Sequence, residues 1–193
     1  MKLVFATQNQ NKVTELKQLM PKSIELLSLK DINCNDDIPE TAPNLKGNAS
    51  QKSHYIFEKF NINCFADDTG LEIEALNNEP GVYSARYAGP QKNSEDNMNL
   101  VLEKLKNESN RKARFKTVIS LIINGDEHIF EGVCNGEITT KKSGNKGFGY
   151  DPIFKPKGFD ITFADMPLSK KNKISHRGKA VKLLVDFLED MEK

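Results

Sequence analysis

The sequence predicts an α/β protein, two-lobed, with a central mixed β-sheet flanked by helices. Three observations carry that expectation. Up to Ala66, short apolar runs alternate with segments whose apolar residues recur at helical spacing. Further on, Asn124-Gly125-Asp126 separates two long β-rich runs, Phe115 to Ile123 and His128 to Ile138, and Asn-Gly accepts the positive φ of a tight hairpin turn. The hairpin adds antiparallel pairing to an alternating pattern, hence a mixed sheet, and it can extend into a second lobe. The 193 residues show no internal repeat or low-complexity segment, so residues 1–193 read as a single two-lobed domain with a real core.

The elements follow in order. Lys2 to Ala6 reads as a first strand. Val13, Leu16, Leu19 and Met20 make Asn11 to Met20 a helix, which Pro21 ends. Ile24 to Leu29 is a second strand, and Asp31 to Pro43, polar with two prolines, is irregular. Asn48 to Phe60 suits a helix with Ile56, Phe57 and Phe60 on one face. Ile62 to Ala66 is a third strand that stops at Asp67-Asp68-Thr69-Gly70, and Leu71 to Leu76 continues as an extended run. Asn78 to Gln91 holds two prolines and two glycines and reads as a long loop. Ser94 to Leu105 is helical, with Met98, Val101, Leu102 and Leu105 inward. Ser143 to Gly149 is glycine-rich. Ser175 can cap a last helix from His176 to about Met191, with Ala180, Leu183, Leu184, Phe187, Leu188 and Met191 inward.

Charge narrows the function. With 28 basic and 27 acidic side chains the net charge is +1, so broad polyanion binding is excluded and nucleic acid is not an expected partner. Cys34, Cys64 and Cys134 lie far apart and form no CxxC pair, which points to reduced thiols in a cytoplasmic protein. The short apolar run before Thr7 is too short for a signal peptide, and no apolar stretch is long enough to span a bilayer, so no membrane partner is expected. His54 and His128 show neither metal nor triad spacing and read as structural or surface residues. Walker, GxSxG and HExxH motifs are all missing.

Four stretches could carry chemistry. "FATQNQNKVTEL", Phe5 to Leu16, is a strand entering a helix, where helix-end N–H groups meet anions, yet it has no glycine. Thr7, Asn9 and Lys12 can do with a hydroxyl, an amide and an ammonium what a glycine loop does with backbone N–H groups. Asp67 and Asp68 could hold a magnesium ion together with substrate phosphates, or supply a general base for a water. A solvated turn is the plainer reading of the same residues. In "SGNKGFGYDPIF", Gly144, Gly147 and Gly149 let the backbone come close to a flat ligand, and a base stacked on Phe148 or Tyr150 is worth about 1–3 kcal/mol. Pro152 biases Asp151 toward an extended conformation. "SKKNKISHRGKA" places Lys170, Lys171, Lys173, His176, Arg177 and Lys179 around a helix start, where cations oppose the helix dipole. A bound anion or an electron-rich base edge relieves that conflict; a solvated basic turn is the alternative. Lys52 is a further candidate phosphate contact, and Glu40 sits in a loop where Asp36 and Asp37 are equally placed acids.

These stretches occur in one order: "TQNQNK", an acid in a loop, "ADDTGLEIEAL", "PGVYSARYAG", "GFGYDPIF" and "SHRGKA". Together they resemble the inosine triphosphate pyrophosphatase family, over Leu3 to about Leu188. The resemblance implies an elongated, two-lobed α/β fold, a homodimer, and magnesium-dependent hydrolysis of the α–β phosphoanhydride of ITP, dITP or XTP to monophosphate and pyrophosphate. It implies that Thr7, Gln8, Asn9, Gln10, Asn11 and Lys12 contact the triphosphate. Glu40 and Asp68 would hold magnesium with Asp67 assisting, and Asp68 would accept the proton. Lys52 and Thr69 would line the phosphate path, and Phe148, Gly149, Tyr150, Asp151, Lys171, His176 and Arg177 would hold the base.

One segment departs from the family's usual ETGxTFxENAxxKA. Here it reads "ETAPNLKGNASQKS", with Ala42 for Gly, Gly47 for the acid before Asn48, and Ser53 for Ala, while Glu40, Asn48, Ala49 and Lys52 keep their places. Rival readings are a pyrophosphatase for modified pyrimidine or m7-purine nucleotides, a nucleotide-binding sensor without turnover, and a phosphatase cutting between the β and γ phosphates.

Overall fold

The computed structural model describes residues 1–191. Seven strands pair in the order β2-β1-β3-β5-β6-β7, with β4 pairing β3 off that path. They are β1 (Lys2–Phe5), β2 (Glu25–Ser28), β3 (Cys64–Ile73), β4 (Glu79–Gly81), β5 (Lys112–Ile123), β6 (Asp126–Ile138) and β7 (Phe154–Pro156). The helices are α1 (Gln10–Lys17), α2 (Leu45–Phe60), α3 (Ser94–Lys104), α4 (Leu168–Ile174) and α5 (His176–Met191). β1 is parallel to β2 and β3, while β3–β4 and β6–β7 are antiparallel, so the sheet is mixed as the sequence predicts.

The chain forms two compact units. The first comprises Met1–Asp68, Thr117–Gly132 and the chain from Arg177; the second comprises Thr69–Lys116 and Val133–His176. In the first unit β1, β3 and β5 are buried on both faces, and the period of two sorts their side chains. Leu3, Phe5, Phe65, Ile119, Leu121 and Ile123 pack with Val13 and Leu16 of α1 and with Ala180, Val181, Leu184 and Leu188 of α5. Val4, Ala6, Cys64, Ala66 and Ile122 point the other way, toward Ile56 of α2. The Phe5 and Phe65 rings stack at 4.6 Å. The second unit has its own core, where Leu71 and Ile73 of β3 meet Met98 and Val101 of α3, Phe115 and the aromatic group Tyr150, Phe154 and Phe163.

Several expectations need correction. Asp67-Asp68-Thr69-Gly70 is not a turn: β3 runs through it without a break from Cys64 to Ile73. Asp and Gly favour turns locally, but the place of β3 within the sheet overrides that preference. α2 begins three residues before Asn48, at Leu45, with Asn44 as its cap. α1 stops at Lys17, short of Met20. The loop from Asn78 to Gln91 contains β4 and a helical turn, Ser84–Arg86. α4 adds a short helix within the basic stretch before α5, and Leu183 and Met191, expected inward, are exposed on α5. The hairpin stands: Asn124 and Gly125 take φ of 53° and 94°, the left-handed values a two-residue connection requires.

Candidate active site

The first unit concentrates charge at the carboxyl end of β1, the end at which open α/β sheets take their ligands. Beyond Phe5 the chain turns through Thr7 into α1, and the turn organises itself. Thr7 Oγ1 accepts from the Asn9 N–H at 3.2 Å, and Asn9 Oδ1 caps the helix by accepting from the N–H groups of Asn11 (3.0 Å) and Lys12 (3.4 Å). Gln8 reaches away, donating to the Asp36 carbonyl at 2.8 Å. Gln10 opens the helix. The glycine-free turn is thus a capped helix start whose shape comes from its own Thr and Asn side chains.

The uninterrupted course of β3 decides what the paired acids do. Successive side chains on a strand point to opposite faces. Asp67 follows Phe65 onto the side of α1 and α5; Asp68 follows Ala66 onto the side of α2. Their partners obey that rule. Asp67 Oδ1 accepts from Lys12 Nζ at 2.9 Å, and its Oδ2 from Arg177 Nε at 3.3 Å. Arg177 also donates through Nη1 to Glu15 Oε2 at 2.5 Å, so the buried Glu15, Arg177 and Asp67 form one network with the half-buried Lys12. On the other face, Asp68 Oδ2 accepts from Asn48 Nδ2 at 3.0 Å, and Lys52 Nζ stands 3.9 Å from Oδ1. Lys52 bonds Glu40 and donates to the Asp67 carbonyl at 2.8 Å.

This division drives the two acids apart in chemistry. Burial alone would raise Asp67, but Lys12, Arg177 and Lys52 outweigh it and hold the carboxyl far below the usual carboxylate range. For Asp68 burial wins: Lys52, Lys12 and the Asn48 amide only partly offset it, and the group is pushed up. Lys12 is lowered, by burial first and then by Lys52 and Arg177, although Asp67 pulls the other way. Lys52 and Arg177 are raised, because their carboxylates outweigh the cost of burial.

The second unit holds another group. Asp151 and Lys171 are both buried, 3% and 4% exposed, and Lys171 Nζ donates to Asp151 Oδ2 at 2.6 Å. The same oxygen accepts from the Phe148 N–H at 2.9 Å, which fixes the glycine-rich loop. Gly147 takes a φ of 72°, and a Cβ there would run into the Asp151 carboxylate. Asp151 opens a 3-10 turn, Asp151–Ile153, and does not continue extended as Pro152 suggested. Phe148 is half-buried with Lys171 Nζ 5.1 Å from its ring centroid, Gly149 follows at φ 62°, and His176 stacks on Phe115 at 4.5 Å. Tyr150 differs from the aromatic platform expected of it. It is a core residue whose hydroxyl donates to the Ser84 carbonyl at 2.8 Å.

The structure therefore gathers Lys12, Glu40, Lys52, Asp67, Asp68 and Arg177 in the first unit, at the end of the turn Thr7–Asn11. Phe148, Gly149, Asp151, Lys171 and His176 belong to the second unit, as does Thr69, the next residue on β3. Arg177, expected with the base group, belongs to the first unit and is bound to Asp67 and Glu15. Glu15 escaped notice in the sequence, although it stands three residues after Lys12 and so on the same helix face. Asn48 was noted only as a retained position.

A helix-flanked mixed sheet whose strand end carries acids interleaved with lysines and an arginine defines a class, the α/β proteins equipped for phosphate chemistry. The sequence pattern of the Ham1 family matches residues 3–187, and the chain belongs to that family. It is 60% identical to a dITP/XTP pyrophosphatase of Flavobacterium johnsoniae over 97% of this chain and 98% of that one. It is 47% identical to a dITP/XTP pyrophosphatase of Porphyromonas gingivalis, over 97% of each. The Staphylococcus aureus Ham1 protein has the same fold, with a TM-score of 0.91 at 40% identity over the whole of both chains.

Proposed function

We propose that this protein hydrolyses non-standard purine nucleoside triphosphates, ITP, dITP and XTP, to the monophosphate and pyrophosphate, clearing them from the nucleotide pool. The observation that carries the chemistry is the splitting of the acid pair across β3: Asp67 is pinned in ionised form between Lys12 and Arg177, while Asp68, on the other face beside Asn48 and Lys52, is pushed up by burial. Asp68 takes the proton of the water that attacks the α-phosphorus, and pyrophosphate departs. Lys12 and Lys52 hold the polyphosphate oxygens, with the turn Thr7–Asn11 beside them. Asp67 keeps Lys12 and Arg177 in place. Within the second unit Phe148 offers a stacking face for a purine, and Asp151 and Lys171 hold its loop.

The donor set suits magnesium. Glu40 and Asp68 are hard oxygen donors linked through Lys52, and among the described residues no group of three or more His, Cys, Asp or Glu forms a ready metal cage. Magnesium takes one or two carboxylates and completes its shell with water and phosphate, so Glu40 and Asp68 would hold it, while Asp67, expected to assist, has both carboxylate oxygens turned to Lys12 and Arg177 on the other face of β3. When bound it supplies charge that neutralises the phosphate oxygens. Among the described residues no helix is long and apolar enough to cross a membrane. The family resemblance supports a homodimer working in the cytoplasm. The test is to incubate the protein with Mg²⁺ and a nucleotide panel and identify the products. Monophosphate with pyrophosphate from ITP and XTP, and little from ATP, is expected. Diphosphate with phosphate, or binding without products, overturns the reading.

A further inference from the structure

Two departures that look unrelated in the sequence, Ala42 and Gly47, are one contact in the structure. A Cβ built on Gly47 would lie 2.6 Å from the Cβ of Ala42 and 3.3 Å from Asn44 Oδ1, closer to Ala42 than real Cβ atoms come. Gly47 does not have the left-handed backbone that calls for glycine, and glycine is a poor helix former, so the lack of space accounts for it. With no side chain at 47, the loop that carries Glu40 lies flush on the first turns of α2. There the Ala42 N–H donates to Asn48 Oδ1 at 2.9 Å.

Asn48 is 2% exposed and is used at both ends. Its oxygen accepts from Ala42, and its NH₂ donates to Asp68 Oδ2 at 3.0 Å. An amide oxygen only accepts and an amide nitrogen only donates, so a flipped amide would put donor against donor and oxygen against carboxylate. The side chain has one workable orientation. It is a strut between the loop of Glu40 and the acid on β3.

We propose that Asn48 is the positioning residue for Asp68, and that the Ala42–Gly47 contact sets it. This rests on the reading of Asp68 as the proton acceptor. Held by Oδ2, the Asp68 carboxylate keeps one rotation, and the same strut ties that rotation to the loop bearing Glu40. One buried side chain thereby ties the supports of both acids together, beside the link that Lys52 makes between them.

The test compares Asn48→Ala, Gly47→Ala and the double variant Ala42→Gly/Gly47→Ala with the parent on ITP. Asn48→Ala is expected to lower kcat by about tenfold to a hundredfold, since a small misplacement of a reacting group costs that much. KM should stay within about twofold, because ground-state binding is untouched. Binding of an ITP analogue with a non-hydrolysable α–β bridge, measured by calorimetry, should also be unchanged. Gly47→Ala should fall in the same way, and the double variant should recover most of the loss because the methyl group has only changed sides. Full kcat in Asn48→Ala, or a double variant no better than Gly47→Ala, overturns the inference while the parent still releases pyrophosphate. Should Asn48→Ala fail to fold, the Gly47→Ala and double-variant pair decides alone. A parent that releases no pyrophosphate from ITP overturns the functional reading and this inference with it.

Discussion

At the residue scale, adjacent aspartates have opposite consequences when neutralised. Asp67→Asn leaves Lys12 and Arg177 facing a neutral amide in a buried site, and removing one member of such a pair costs about 3 kcal/mol or more. Thermal unfolding should show the loss as a lower Tm. Its sign with pH follows from the depressed folded pKa: the stabilisation is complete above the ordinary carboxyl value and is lost as pH falls through the native one. Asp68→Asn should do the reverse. Its folded pKa is raised, so at neutral pH the ionised carboxylate is a burden on the fold, and the amide should hold Tm level or lift it. Turnover should fall about a hundredfold or more with the proposed proton acceptor gone. A stability loss in Asp68→Asn as large as in Asp67→Asn would contradict the assignment of roles. Arg177 carries the same logic: with its guanidinium bound to Glu15 and Asp67, Arg177→Ala should lower Tm as well as turnover.

At the element scale, α2 does most of the placing. It presents Asn48 and Lys52 to the acids, and one of its faces is tied to the sheet by hydroxyls. Ser53 Oγ lies 2.6 Å from Ser120 Oγ on β5, and Ser120 and Ser50 both donate to Glu127. Ser53 stands where the family segment usually has Ala, so this chain has added a buried hydrogen bond. Ser53→Ala should cost about 1 kcal/mol in chemical unfolding and leave kcat unchanged. What the sequence made legible here was patterning. Short apolar runs located β1 and β2, period-3.6 runs located α1 and α5, and Asn124-Gly125 located the hairpin. The ordered motifs led to the family. What stayed hidden depended on pairing between distant segments. Asp67 to Gly70 has the composition of a turn, and only its neighbours in the sheet make it strand. Reading a turn there concealed that Asp67 and Asp68 face different helices, which is the fact that separates their chemistry. The Ala42–Gly47 contact was hidden for the same reason: two departures five positions apart do not announce that they touch.

At the scale of the whole molecule, the two units are not consecutive stretches of chain. β3, β5 and β6 each begin in one unit and end in the other, so no single cut separates them. Such a chain is expected to unfold in one transition. The cysteines provide the probe. Cys34 and Cys64 belong to the first unit and Cys134 to the second, and all are buried free thiols. Burial pushes the Cys64 thiol up to about 12, so at mildly alkaline pH it has almost no thiolate to react. Labelling of the native protein should be slow, and in a denaturant series the thiols of both units should become reactive at one midpoint. Two midpoints would show units that melt separately.

The alternation of side chains along β3 has one more consequence, and it is a matter of parity. A strand counts in twos. Insertion or loss of a single residue between Cys64 and Asp67 would send each aspartate to the other's partners, Asp67 to the side of α2 and Asp68 to the cations of α1 and α5. A change of two residues would shift the acids along the sheet but leave each on its own side. The segment can drift in sequence, because Phe65 and Ala66 need only fill space, but its length is held to even steps. The spacing from the buried Phe5–Phe65 stack to the acid pair is therefore a stricter constraint on this chain than the identity of any apolar residue within it.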